Sequence, residues 1–144
     1  MKKERIDLLV RTGQVRIRQV DIEKVKSIIN SAQTNAGIVK NIPLTENSST
    51  VIFREIYESI RQLGDASWWL LGYEPLNHEV SMEILKEMDI REKIRLNHLS
   101  RFKSIRNDAD YRGFKVTSAQ AKEILDFWDK CAKDITHILT KSLK

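Results

Sequence analysis

Two prolines and five glycines in 144 residues leave this chain few places to turn. Tight turns depend on those residues, so a chain that nearly lacks them is confined to long elements joined by few loops. The apolar residues say which elements. Behind Asp21, placed as an N-cap, Ile22, Val25, Ile28, Ile29, Ala32, Ala36 and Val39 recur at three- and four-residue steps, and Pro43 closes the segment. From Asn47 or Ser48, Ile52, Ile56, Ile60, Leu63, Ser67 and Leu71 follow one face, Phe53, Tyr57, Gly64 and Trp68 widen it, and Gly72 stops it. So wide an apolar arc belongs to a central helix. A shorter helix is expected over 77–88. A fourth is expected over 90–107 with Ile94, Leu99, Phe102 and Ile105 inward. A last one begins at the capping box of Thr117 and Gln120, with Ala121, Ile124, Leu125, Trp128, Cys131, Ala132, Ile135, Ile138 and Leu139 as its stripe. Five main helices with short connections predict an all-α, up-and-down antiparallel bundle over 21–144. Residues 1–20 read as an extension with a short helix near 3–10. The alternating Val15-Arg16-Ile17-Arg18-Gln19-Val20 that follows has no evident partner strand and reads as an extended lead-in.

The rest of the composition narrows the setting. The longest apolar run, Trp68-Trp69-Leu70-Leu71, is too short to cross a bilayer, and the charged N-terminus lacks the pattern of a signal peptide. A cytoplasmic protein without membrane contact is expected. The single cysteine, Cys131, falls on an apolar helix face and reads as a small buried hydrophobe. His78, His98 and His137 have no ligand-like spacing, so neither a metal nor another cofactor is expected. Of the adjacent Trp68 and Trp69, about 100° apart on a helix, one is expected in the core and the other toward an interface. The wide arc of the 47–72 helix exceeds what one small bundle is expected to cover, which predicts a homodimer.

Net charge is +5 and unevenly placed: about +4 over 1–20, −5 over 21–90 and +5 over 91–115. Such a basic segment suits a polyanion or merely a solvated face. Its end, Ser104-Ile105-Arg106-Asn107-Asp108-Ala109-Asp110-Tyr111-Arg112-Gly113-Phe114, reads as the turn after the fourth helix. It gathers two guanidiniums, an amide, two carboxylates and a phenol within eight residues. Arginine suits phosphate because its planar fork donates two parallel hydrogen bonds and stays charged. Arg101, Arg106, Arg112 and Lys115 are therefore the candidate nucleic-acid contacts.

Here the chain resembles a family. Tyr57-Glu58-Ser59-Ile60-Arg61-Gln62-Leu63, Leu71-Gly72-Tyr73-Glu74-Pro75 and above all Ile105-Arg106-Asn107-Asp108-Ala109-Asp110-Tyr111-Arg112-Gly113 are similar to the HEPN domain (higher eukaryotes and prokaryotes nucleotide-binding). The resemblance implies a dimeric helical bundle with the arginine motif at a cleft near the dimer axis. It also implies either metal-independent ribonuclease activity or partnership with a minimal nucleotidyltransferase in a toxin–antitoxin pair. Arg106 and Asn107 match the first two positions of the family's catalytic pattern, and Tyr111 stands where its histidine is expected. Histidine titrates near 6.5 and tyrosine near 10, so Tyr111 is a poor base at neutral pH. Tyr111→His is then expected to supply the missing base. The leading expectation is an RNA- or nucleotide-binding module with Arg106, Asn107 and Tyr111 at its site. A ribonuclease helped by Tyr111 or His98, and a non-catalytic helical scaffold, are the alternatives.

Overall fold

A computed structural model describes residues 1–143 and is mostly helical. The order is α1 (Lys3–Arg11), β1 (Val15–Ile17), α2 (Ile22–Lys40), α3 (Ser49–Leu71), β2 (Tyr73–Pro75), α4 (His78–Lys86), a 3₁₀ helix (Lys93–His98), α5 (Leu99–Tyr111) and α6 (Ser118–Lys141). The centre is α3. Ile52, Phe53, Ile56, Tyr57, Ile60, Leu63, Ala66 and Trp68 are all almost fully buried, because α2, α4, α5 and α6 each cover a strip of it. The arc that predicted a dimer is thus covered within one chain.

Contact pairs fix the directions. Lys24 lies over the ring of Trp69, 4.0 Å from its centroid, and Gln62 donates to Ser31, so α2 and α3 are antiparallel. Arg106 sits over Tyr57 and Asp110 meets Arg54, so α5 is antiparallel to α3. The Val116 N–H donates to Thr50 Oγ1 and the Ser118 N–H to Glu46, so α6 starts beside the start of α3 and follows its direction. The four long helices alternate up and down. The caps read from sequence are in place: Asp21 accepts from the Lys24 N–H, Thr117 and Gln120 close a reciprocal box, and Gly72 ends α3 at φ +90°.

Three local expectations are corrected. Val15–Ile17 has a partner after all, since it pairs antiparallel with Tyr73–Pro75. The left-handed Gly72 turns the chain back toward β1, and the Arg18 N–H donates to the Gly72 carbonyl. The N-terminal segment is thereby tied in, and Leu9, Val15, Trp68, Val80 and Ile84 form a small second core. The fourth helix is broken in two. Residues 93–98 are 3₁₀, whose three-residue repeat brings Leu96 and Leu99 to the same inward side and leaves Ile94 79% exposed. At its other end α5 continues to Tyr111, because Arg106 and Asp110 pair one turn apart and the chain reverses only at Gly113, φ +69°. Trp68 is the core tryptophan, donating to the Val80 carbonyl at 2.8 Å, and Trp69 is half-buried against the main core beneath Lys24.

Candidate functional site

Phe102 anchors the helix that carries Arg106. It is fully buried, edge-on to Phe53 of α3 and Phe127 of α6 at centroid distances of 6.0 and 5.5 Å. One turn on, Arg106 faces α3, and one turn further Asp110 does the same. Arg106 is 22% exposed, its guanidinium carbon 5.7 Å from the Tyr57 ring centroid and its Nε 2.9 Å from Asp110 Oδ2. Asp110 Oδ1 is 2.9 Å from Arg54 Nε without hydrogen-bond alignment, so one carboxylate faces two guanidiniums. The Tyr57 hydroxyl is buried and has no hydrogen-bond partner among the described residues. Burial pushes it up to about 12 against the pull of Arg106 and Arg61, so it remains a proton donor at any physiological pH.

Next along α3, Arg61 is held by Glu58 and Asp65, and Ser81 of α4 donates to Asp65. Burial raises the Asp65 carboxyl against these contacts. The helices can approach so closely because position 64 is glycine: a Cβ there would lie 2.1 Å from the Ser81 carbonyl oxygen. His78 opens α4, one turn before Ser81. Burial and the charges of Arg61 and Arg106 lower it from the usual imidazole range, against Glu58 and Asp65. A histidine from another helix thus shares the field of Arg106.

The sequence-predicted residues do not converge. Arg106 and Asn107 are neighbours, joined by a long 3.4 Å contact, and Asn107 turns toward a hollow of about 410 Å³ between α4 and α5. Tyr111, five residues after Arg106 on the same helix, points about 140° away from it and is 78% exposed. A histidine at 111 would point there too. Arg101 leaves the cluster for α6, where it pairs with Glu123, and it takes His98 with it at 3.1 Å. Arg112 is loosely paired with Asp108 at 3.9 Å, and Lys115 donates to Asn47. Phe114, 58% exposed, was not singled out from sequence; it lies beside Lys115 in a shallow hollow with Ile105 and Val116.

No family model, curated protein or solved structure matches the chain. The likeness to HEPN domains rests on the residues quoted above alone. Nothing in the linear motif connects His78 to Arg106; only the packing of α4 on α3 brings it into the field of that guanidinium. Cys131 is fully buried and burial pushes its thiol up to about 11, which leaves it unreactive. None of the helices of residues 1–143 is long and apolar enough to cross a membrane.

Proposed function

We propose that the protein binds RNA or a nucleotide at the C-terminal end of α5. In this reading it is a cytoplasmic, HEPN-like module, and its homodimer and minimal nucleotidyltransferase partner follow from the HEPN resemblance, not from the apolar arc of α3, which the chain covers itself. The observation that carries the proposal is the end of α5 itself, where exposed aromatic rings and exposed cations alternate: Tyr111, Arg112, Phe114, Lys115. Rings stack on bases and cations meet phosphates, which is how single strands are held without sequence preference. On the α3-facing side of the same helix, Arg106 offers a donor to a phosphate that displaces Asp110. Anisotropy of a labelled single-stranded RNA tests this. Tyr111→Ala and Arg112→Ala should each weaken binding several-fold, base stacking alone being worth about 1–3 kcal/mol. Wild-type affinity in both variants overturns it.

One observation favours a second reading, metal-independent RNA cleavage. His78, half-buried at the start of α4 and lowered by burial and by the charges of Arg61 and Arg106, supplies in the field of Arg106 the neutral imidazole that Tyr111 does not. In such a reaction the 2′-hydroxyl gives its proton to His78, its oxygen attacks phosphorus, and the bond to the 5′-oxygen breaks as that oxygen takes a proton from water. Arg106 stabilises the added negative charge. EDTA-resistant cleavage that is lost in His78→Gln and in Arg106→Ala supports it. Cleavage that survives both substitutions, or none by the wild type, removes it.

A further inference from the structure

The register of the β1–β2 ribbon decides which backbone groups are used. The Arg18 N–H donates to the Gly72 carbonyl and the Leu76 N–H to the Gln14 carbonyl, and Arg16 lies opposite Glu74. The even-numbered residues of β1 therefore pair with β2, and the N–H and C=O of Ile17 point the other way. Every residue from Arg16 to Asp21 is exposed, so that edge is open. Alternation along the strand gives the ribbon two unlike faces. On one, Ile17 (66% exposed) and Tyr73 flank a hollow of about 400 Å³ completed by Asp7, Val10 and Arg11 of α1. The other face carries Arg16 and Arg18, which share the single carboxylate of Glu74 at 3.6 and 3.1 Å and leave one positive charge in excess.

We propose that the free edge of β1 docks an extended segment of a partner protein in which apolar and acidic residues alternate. The segment adds as a third strand, bonding to the N–H and C=O of Ile17. Its apolar side chains fall on the Ile17–Tyr73 face and its carboxylates on the Arg16–Arg18 face. A second copy of this chain does not fit. Antiparallel self-pairing can set Ile17 opposite Val15, Ile17 or Gln19, and each register puts an arginine of one copy against an arginine of the other. Like charges directly opposite are destabilising. An uncovered strand with apolar neighbours is a standing invitation to pairing, and the arginines restrict who can accept it.

The test uses the full chain and two labelled synthetic peptides, one alternating valine and glutamate, the other valine and lysine. Anisotropy should show the glutamate peptide binding at least about tenfold tighter than the lysine peptide, and weakening with salt. Ile17→Pro removes the N–H donor and should weaken binding about tenfold, roughly what one backbone hydrogen bond contributes, while Ile17→Val should leave it intact. In the wild type, exchange of the Ile17 amide hydrogen should slow when the glutamate peptide is added. No binding of that peptide, equal binding of both, or unchanged exchange at Ile17 would each overturn the proposal. RNA binding at the other site should be unaffected by Ile17→Pro, so the two readings fail separately.

Discussion

His78 is lowered by burial first and then by Arg61 and Arg106, so it is neutral at neutral pH. The sign of its effect on stability follows. On acidification the unfolded chain binds the proton first, near 6.5, and the folded chain only at lower pH. Stability should therefore fall as pH drops through and below about 6.5, and His78→Gln should flatten that part of a plot of Tm against pH. A bound phosphate reverses the local field. RNA affinity should rise between about pH 7.5 and 5.5 in the wild type, and that rise should vanish in His78→Gln. An unchanged rise would place His78 outside the site. Tyr57 gives the complementary case. Its buried hydroxyl has no partner among the described residues, so Tyr57→Phe should leave stability equal or about 1 kcal/mol higher by denaturant unfolding. A loss of stability would mean that the hydroxyl is bonded.

Among the elements, α4 depends most visibly on one residue of another helix. A methyl at position 64 would run into backbone of α4, the Ser81 carbonyl, which cannot swing aside as a side-chain tip can. Gly64→Ala should cost about 3 kcal/mol, the upper part of the usual overpacking range, despite the better helix propensity of alanine. Because α4 carries His78, the same variant should also flatten the pH dependence of RNA binding. A cost below about 1 kcal/mol in urea unfolding would mean that α4 sits further from α3. What was legible in the sequence was periodic or capped. The stripe of α2, the arc of α3 and the box at Thr117 each depend on residues close together in the chain. The β1–β2 pairing was not legible, because it joins segments almost sixty residues apart through three residues each. The end of α5 was not legible for a different reason. Its polar run looked like a turn, yet Arg106 and Asp110 at helical spacing stabilise one more turn, and Gly113 carries the true stop. That extra turn sends Tyr111 outward and dissolves the linear motif as a three-dimensional one, while His78 arrives from a helix that no local pattern links to it.

At the scale of the whole molecule, the basic stretch 91–115 is less available than its charge suggests. Arg91 pairs with Asp134, Arg95 with Glu92, Arg101 with Glu123, Lys103 with Glu79 and Arg106 with Asp110, all close contacts. Partners of three of these five come from other elements, so the fold neutralises much of what the sequence concentrates. Near the end of α5 the accessible cations are Arg112, Lys115 and Arg54, the last sharing Asp110 with Arg106. Arg112, Lys115, Arg54 and Arg106 released from Asp110, all meeting phosphates of a single strand, would release counterions with a slope of about −0.7 each, so log affinity should fall against log salt with a slope of about −3. Arg112→Ala and Lys115→Ala should each flatten it by about 0.7. Arg101→Ala should not, since that guanidinium faces Glu123 on another side, and reversing Lys130 and Lys133 on α6 should change it less than either. A wild-type slope of about −5 or steeper would mean that the pairs of Arg91, Arg95, Arg101 and Lys103 also open on binding and that the whole basic stretch engages the RNA. Equal flattening by every substitution would mean that attraction is spread over the surface, and the end of α5 would lose its claim to be the site.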